Sequence, residues 1–103
     1  MAERKVIWTK TADLQLIGTL EYWVKRNKST TYSKKLLRLV VEKTTHISKN
    51  PQHYKLSGFK DIRVAAMGNF SIYFKPFPGK IIITAFWDNR QDPQKLLSIL
   101  DGK

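Results

Sequence analysis

Apolar residues recur at helical spacing in the first half of the chain and alternate with polar residues in much of the second half. After a short β-prone run, Lys5 to Trp8, apolar positions three and four apart predict a first helix, capped by Thr9 or Thr11. The stripe expected to face inward consists of Leu14, Leu16, Ile17, Leu20, Trp23 and Val24.

A second helix is predicted from Tyr32 to Lys49, because the same spacing returns there and Asn50-Pro51 ends it. The short polar connection from Asn27 to Thr31 predicts an antiparallel helical hairpin. The residues expected to face inward on the second helix are Leu36, Leu37, Val40, Val41, Thr44 and Ile47.

The period then changes to two. Asp61 to Ala66, Phe70 to Lys75 and Lys80 to Trp87 are rich in β-branched and aromatic residues, and the turns between them are short, so they predict an antiparallel meander. A further short strand is possible near Tyr54 to Leu56. Asp92-Pro93 predicts the N-cap and first residue of a last helix.

The resulting order, β-α-α-β-β-β-α, predicts an α+β fold. The hairpin should cover one face of a mostly antiparallel sheet, since neither helix can bury its stripe alone. The short C-terminal helix should close the other face in part, which leaves a concave surface there as the expected ligand site.

Composition favours one folded domain over residues 1–103, since 42% of the residues are hydrophobic and 12% aromatic. The net charge of +11 favours polyanionic partners. From Lys25 to Lys60 there are ten basic residues and one acidic residue, so the excess lies mainly on the hairpin and the loop after it. That stretch is either a solvated helical face or a surface whose positive charge attracts an acidic partner.

Other classes are disfavoured. The chain has no cysteine and two histidines, so no metal or small-molecule cofactor is expected. The N-terminus from Met1 lacks the apolar run of a signal peptide, and no stretch approaches the roughly 20 apolar residues that span a bilayer. We therefore expect a cytoplasmic protein without membrane contact.

The order, spacing and length, together with five short segments, resemble the RelE/ParE superfamily of bacterial type II toxins over nearly the whole chain. The segments are Ala12-Asp13-Leu14 with Ile17, Asn50-Pro51, Asp61-Ile62-Arg63, residues 69–74 (NFSIYF) and residues 87–93 (WDNRQDP). The resemblance implies a growth-inhibiting toxin that a cognate antitoxin protein neutralises. RelE-like members cleave mRNA in the ribosomal A site without a metal, whereas ParE-like members inhibit DNA gyrase.

The resemblance assigns two basic positions, Arg63 near the start of the meander and Arg90 just after the last strand. As a nuclease, the protein would use these arginines to stabilise phosphate charge, with Tyr73 or Asp88 transferring protons. Nuclease members carry a further Arg where this chain has Ser71, and a C-terminal Tyr or His that this chain lacks. The candidates for binding nucleic acid or another target are Lys55, Lys60, Lys75 and Trp87, the last by stacking on a base.

Structural roles compete with these assignments. Arg63 could pair with Asp61, and Arg90 with Asp88 or Asp92. His46 lies four residues after Glu42, where an exposed helical pair is expected, and His53 is the freer histidine.

Three functions therefore stay open: an mRNA endoribonuclease acting on the ribosome, a gyrase inhibitor without catalysis, and a basic RNA-binding domain or inactive family member. Period-two alternation places Ser71, Tyr73 and Lys75 on one sheet face and Ile72 and Phe74 on the other. It does not fix which face the two arginines share.

Overall fold

A computed structural model describes residues 4–101 of the chain. Its elements are β1 (Lys5–Trp8), α1 (Lys10–Asn27), α2 (Thr31–Lys49), a 3₁₀ turn (Pro51–His53), β2 (Arg63–Met67), β3 (Phe70–Phe77), β4 (Lys80–Asp88) and α3 (Pro93–Leu100). This order confirms the predicted α+β architecture. Residues 1–3 and 102–103 of the predicted domain, with the expectation about a signal peptide at Met1, lie outside the described residues.

The four strands form one mixed sheet in the order β1-β4-β3-β2. β4 pairs parallel with β1 and antiparallel with β3, and β3 pairs antiparallel with β2. β3 continues beyond the predicted end to Phe77. Because β2 pairs with β3 only as far as Phe74, Pro76 has a neighbouring strand on one side only, where it lies opposite Ile81 of β4. The possible strand near Tyr54 is reduced to a single bridge between Leu56 and Arg63.

One register shift changes which residues of β4 face each side of the sheet. Tyr73 pairs with Ala85, but Phe74 pairs with Ile83, so Thr84 is an extra residue on β4. This bulge puts Ile83 in the hairpin-side core and Ala85 on the opposite face.

The helix termini follow their local chemistry. The Thr9 hydroxyl accepts a hydrogen bond from the Ala12 amide at 3.1 Å, which selects Thr9 rather than Thr11 as the cap of α1. The helix ends at Lys28, which takes a left-handed φ of 51°. The Asp92 carboxylate accepts from the Gln94 amide at 2.9 Å, so the predicted cap of α3 is confirmed.

The hairpin packs on one face of the sheet, and the Ser33 hydroxyl ties its helices together by donating to the Leu20 carbonyl at 2.7 Å. Alternate residues of β3, namely Phe70, Ile72 and Phe74, belong to this hairpin-side core. The buried helical residues facing them are Ala12, Leu16, Leu36, Val40 and Ile47.

The helices bury a narrower stripe than the sequence predicts. Four residues expected to face inward are exposed, Leu14 by 57%, Ile17 by 43%, Leu37 by 43% and Val41 by 55%. On α1 the buried residues, Ala12 and Leu16, are four apart and form one row along the helix. Since each helix rests on the sheet along such a row, the flanking apolar positions face solvent.

The other sheet face is covered by α3. Leu96 and Leu100 pack there with Ile62, Ala85 and Trp87 in a second buried cluster, to which Tyr73 and Phe59 add. The concave ligand surface expected on this face is thus filled by apolar side chains, whereas a groove of about 560 Å³ lies on the hairpin side.

Neither long helix, nor any other helix among residues 4–101, combines the length and the apolar character that crossing a bilayer requires.

Candidate functional site

A groove of about 560 Å³ runs between α1 and the C-terminal end of β4. We call it the Arg90 groove. Apolar surface from α1 forms one wall, and the segment that leaves β4 forms the other. Its main lining residues are Leu14, Gly18, Tyr22, Trp23, Arg90 and Gln91.

Arg90 is held in this groove from two sides. Its Nε and Nη2 donate to the two carboxylate oxygens of Asp88 at 2.9 and 2.7 Å, and its backbone amide donates to the same carboxylate at 2.9 Å. The guanidinium carbon lies 5.8 Å from the centre of the Trp23 ring. The hydrogen bonds from Arg90 lower the pKa of Asp88 below its ordinary value, so this carboxylate is an anion that neutralises Arg90 and not a proton donor at neutral pH.

The aromatic side of the groove was not identified from the sequence. Trp23 makes edge-to-face contacts with Tyr22 at 5.2 Å and Tyr32 at 5.0 Å between ring centres. Sequence spacing puts Trp23 in the apolar stripe of α1, but it gives no sign that Arg90, 67 residues later in the numbering, packs on the same ring. The arrangement suits a protein partner, because an arginine on an aromatic ring offers both apolar area and the remaining Nη1 donors.

Arg63 lies elsewhere. It begins β2, and its Nη1 and Nη2 donate to the Tyr54 carbonyl at 2.5 Å and to the Gln52 side-chain oxygen at 2.8 Å. The alternative pairing with Asp61 is therefore not the one observed, and Arg63 instead anchors the loop after α2.

In this structure the two guanidinium groups are anchored at different places, Arg63 on the loop after α2 and Arg90 on Asp88, and do not converge on one phosphate position. Arg63 pairs with Phe74, whereas Asp88 pairs with Phe70, four residues earlier on β3. That offset amounts to about 13 Å along the strands, to which two strand spacings of about 4.8 Å are added across the sheet.

Tyr73 and Trp87 belong to the α3 face of the sheet. Burial raises the pKa of the Tyr73 phenol, and the contact with Ser71 opposes this only in part. Trp87 is only 5% exposed. Its ring packs in the apolar cluster under α3, so it offers little surface to a base in this conformation, and stacking of Trp87 on a base stays a prediction.

The three lysines expected to bind a target also lie apart. Lys60 takes a left-handed φ of 51° and its Nζ is 3.2 Å from the Asp101 carboxylate, next to the end of α3. Lys75 lies on β3 with its Nζ 5.8 Å from the centre of the Phe77 ring. Lys55 is exposed in the loop before β2.

One cluster was missed altogether by sequence reasoning. His46, expected to pair with Glu42, has its Nδ1 2.5 Å from the Tyr54 hydroxyl, and His53 packs against both rings. A signal was present, since Asn50-Pro51 folds the chain back so that residues just after it meet the last turns of α2.

Within residues 4–101, no group of three His, Asp or Glu side chains is arranged to hold a metal ion.

The fold places the chain with small α+β proteins in which a helical hairpin packs on a mixed four-stranded sheet. A chain of the solved chromosomal ParDE toxin–antitoxin system from P. aeruginosa has this fold, with a TM-score of 0.71 and 17% sequence identity over 82% of this chain and 94% of that one. No family model matches the sequence, and no curated protein matches it.

Proposed function

We propose that this protein is the toxin of a type II toxin–antitoxin pair and that it acts, as ParE-like toxins do, by binding and inhibiting DNA gyrase. The fold shared with a chain of the ParDE system carries the proposal. The segments that resemble the RelE/ParE superfamily add independent support from the sequence.

The separation of the candidate catalytic groups favours gyrase inhibition over mRNA cleavage. Metal-free cleavage needs a base, an acid and cations converging on one phosphate. Here Arg63 anchors a loop, Arg90 is neutralised by Asp88, and Tyr73 lies under α3. An inhibitor that acts by binding needs no such convergence.

The Arg90 groove is the surface we assign to the target. It combines exposed apolar area, Leu14 and Tyr22 being 57% and 54% exposed, with an arginine fixed in orientation. Contiguous apolar surface with an anchored arginine is typical of protein interfaces. The antitoxin would block the toxin by covering this groove or its surroundings.

The test uses purified protein in two reactions: supercoiling of relaxed plasmid by gyrase, and translation of a defined mRNA followed by mapping of cleavage sites. We expect loss of supercoiling with intact mRNA. Cuts in the ribosomal A site with unaffected supercoiling would overturn the gyrase assignment in favour of a nuclease. If both reactions proceed normally and expression does not slow growth, the protein is not a toxin of either kind.

Arg90→Ala should reduce inhibition at least about tenfold, the effect of truncating an interface anchor worth ~1.4 kcal/mol or more. Arg38→Ala is the matched control, because it removes the same charge from an exposed position of α2. If the two variants inhibit equally well, the Arg90 groove is not the target surface.

A further inference from the structure

A compact group of titratable side chains lies where the 3₁₀ turn folds back on the end of α2. His46 Nδ1 and the Tyr54 hydroxyl are 2.5 Å apart, and the ring centres of His46 and His53 are 5.7 Å apart. Tyr54 is half-buried and packs edge-to-face on the buried Phe74 at 5.8 Å, whereas both histidines are exposed. The Tyr54 hydroxyl thus contacts the His46 ring at Nδ1, on the exposed surface of α2.

A second groove begins at His46. It has a volume of about 450 Å³ and lies between α2 and the turn that joins β2 to β3, which falls in the range of roughly 300–1,000 Å³ of small-ligand pockets. Its lining combines apolar side chains with charged ones. The lining residues are Leu39, Glu42, Lys43, His46, Ala66, Met67 and Gly68.

The charge around the groove is mainly positive. The ionisable residues that line it are Glu42, Lys43 and His46. His53 and Tyr54 pack against His46, and Arg63 donates to the Tyr54 carbonyl. Lys43 Nζ lies 6.0 Å from the centre of the Tyr54 ring, which brings it beside the histidines. Glu42 is the single acidic residue in this group, so an anionic ligand is favoured.

We propose that this groove binds a segment of single-stranded nucleic acid, with a backbone phosphate held by Lys43, His46 and His53 and a base lying against Leu39 and Met67. Imidazole and ammonium groups donate hydrogen bonds to phosphate oxygens, and the side chains of Leu39 and Met67 offer apolar contact area to an unstacked base. A duplex offers no unstacked base to such a groove.

This site is separate from the Arg90 groove, which is lined by α1 and the end of β4, and it does not depend on gyrase inhibition. It would give the protein a direct contact with nucleic acid in addition to a protein target.

The test is fluorescence anisotropy of labelled hexanucleotides with the full chain at ~50 mM salt, where phosphate contacts contribute strongly. The probes are single-stranded RNA, single-stranded DNA of the same sequence, and the DNA duplex. We expect both single strands to bind more tightly than the duplex. Tighter binding of RNA than of DNA would identify a contact to the 2′-hydroxyl, and equal binding would identify the phosphodiester backbone as the shared ligand.

Variants locate the site. Lys43→Gln should weaken binding and lower the slope of log affinity against log salt by about 0.7, the value for one phosphate contact on a single strand. Lys34→Gln, an exposed lysine at the other end of α2, is the matched control and should change binding less.

Variants of the two histidines test their part in the site. His53→Gln should weaken binding of both single strands without unfolding the protein, because the His53 side chain is exposed. His46→Gln should do the same, with thermal unfolding measured alongside because the contact with Tyr54 is altered.

Equal losses in Lys43→Gln and Lys34→Gln would overturn the proposal, because they would indicate diffuse electrostatic attraction. Preference for the duplex, or single-strand binding unchanged in His53→Gln, would overturn it too. Gyrase inhibition by His53→Gln should stay at the wild-type level, so failure here is distinguishable from failure of the proposed target.

Discussion

The side-chain oxygen of Gln15 on α1 accepts a hydrogen bond from the backbone amide of Phe86 on β4 at 2.9 Å, across 71 positions of the chain. This contact lies just after the bulge at Thr84, where the regular ladder is interrupted. Gln15 therefore supplies an acceptor to a strand amide close to the core. The bond joins α1 to β4, the two elements that form the walls of the Arg90 groove.

Replacing Gln15 by Leu should lower the free energy of unfolding by about 1–3 kcal/mol, because the Phe86 amide would lose its acceptor in a half-buried place. Urea denaturation measures this. Gln15→Glu keeps the oxygen and should cost less. Equal losses in the two variants would show that packing, not the hydrogen bond, stabilises the contact.

Val40 and Val41 are adjacent on α2 and provide a direct test of the narrow buried stripe. Val40 is 1% exposed and Val41 is 55% exposed. Val40→Ala should cost about 2 kcal/mol through lost burial and a small cavity, whereas Val41→Ala should change stability by less than about 0.5 kcal/mol. A large loss in Val41→Ala would mean that the stripe is as wide as the sequence predicts.

The ion pair between Asp88 and Arg90 should make stability depend on pH in the acid range. Because the pKa of Asp88 is lowered in the folded state, its contribution is present above the ordinary aspartate value of about 3.9 and is lost as the pH falls through the folded-state value. Wild type should therefore be more stable than Asp88→Asn at neutral pH, and the difference should shrink on acidification. A difference that stays constant from pH 7 to about 2 would contradict this account.

Tyr73→Phe separates a binding toxin from a nuclease that uses this phenol. A general acid or base contributes about 10²- to 10⁴-fold to a rate, so toxicity that falls by less than about tenfold argues against such a role. We expect growth inhibition to persist. Because burial raises the pKa of Tyr73, titration of tyrosine absorbance should lose a component at the alkaline end in the variant.

Most of the fold could be predicted because local sequence patterns determine where its helices, strands and turns begin and end. Spacing, caps and turns located all three helices and all four strands to within a few residues. The breadth of the buried stripes was not predictable, since Leu37 and Val41 differ from Leu36 and Val40 only in which side of the helix rests on the sheet. The parallel pairing of β1 with β4 also has no local signal.

The candidate site was harder to predict from the sequence, because several of its contacts depend on how separate elements pack against each other. The pairing of Arg90 with Asp88 and the cap at Asp92 are contacts over two residues and were among the alternatives that the sequence offered. The contacts of Arg90 with Trp23 and of His46 with Tyr54 depend on how α1 and the 3₁₀ turn pack. Local spacing carries no information on the contact of Arg90 with Trp23, and for His46 and Tyr54 the only signal is Asn50-Pro51, which folds the chain back toward the end of α2.

The parallel pairing of β1 with β4 sets an order of events during synthesis. Val6 cannot meet its partner Ile81 until the last strand has left the ribosome, so the sheet closes late and over a long loop. Until then, the apolar rows of both helices lack the sheet that buries them. The emerging chain therefore completes this sheet, and with it both walls of the Arg90 groove, only after β4 has been made.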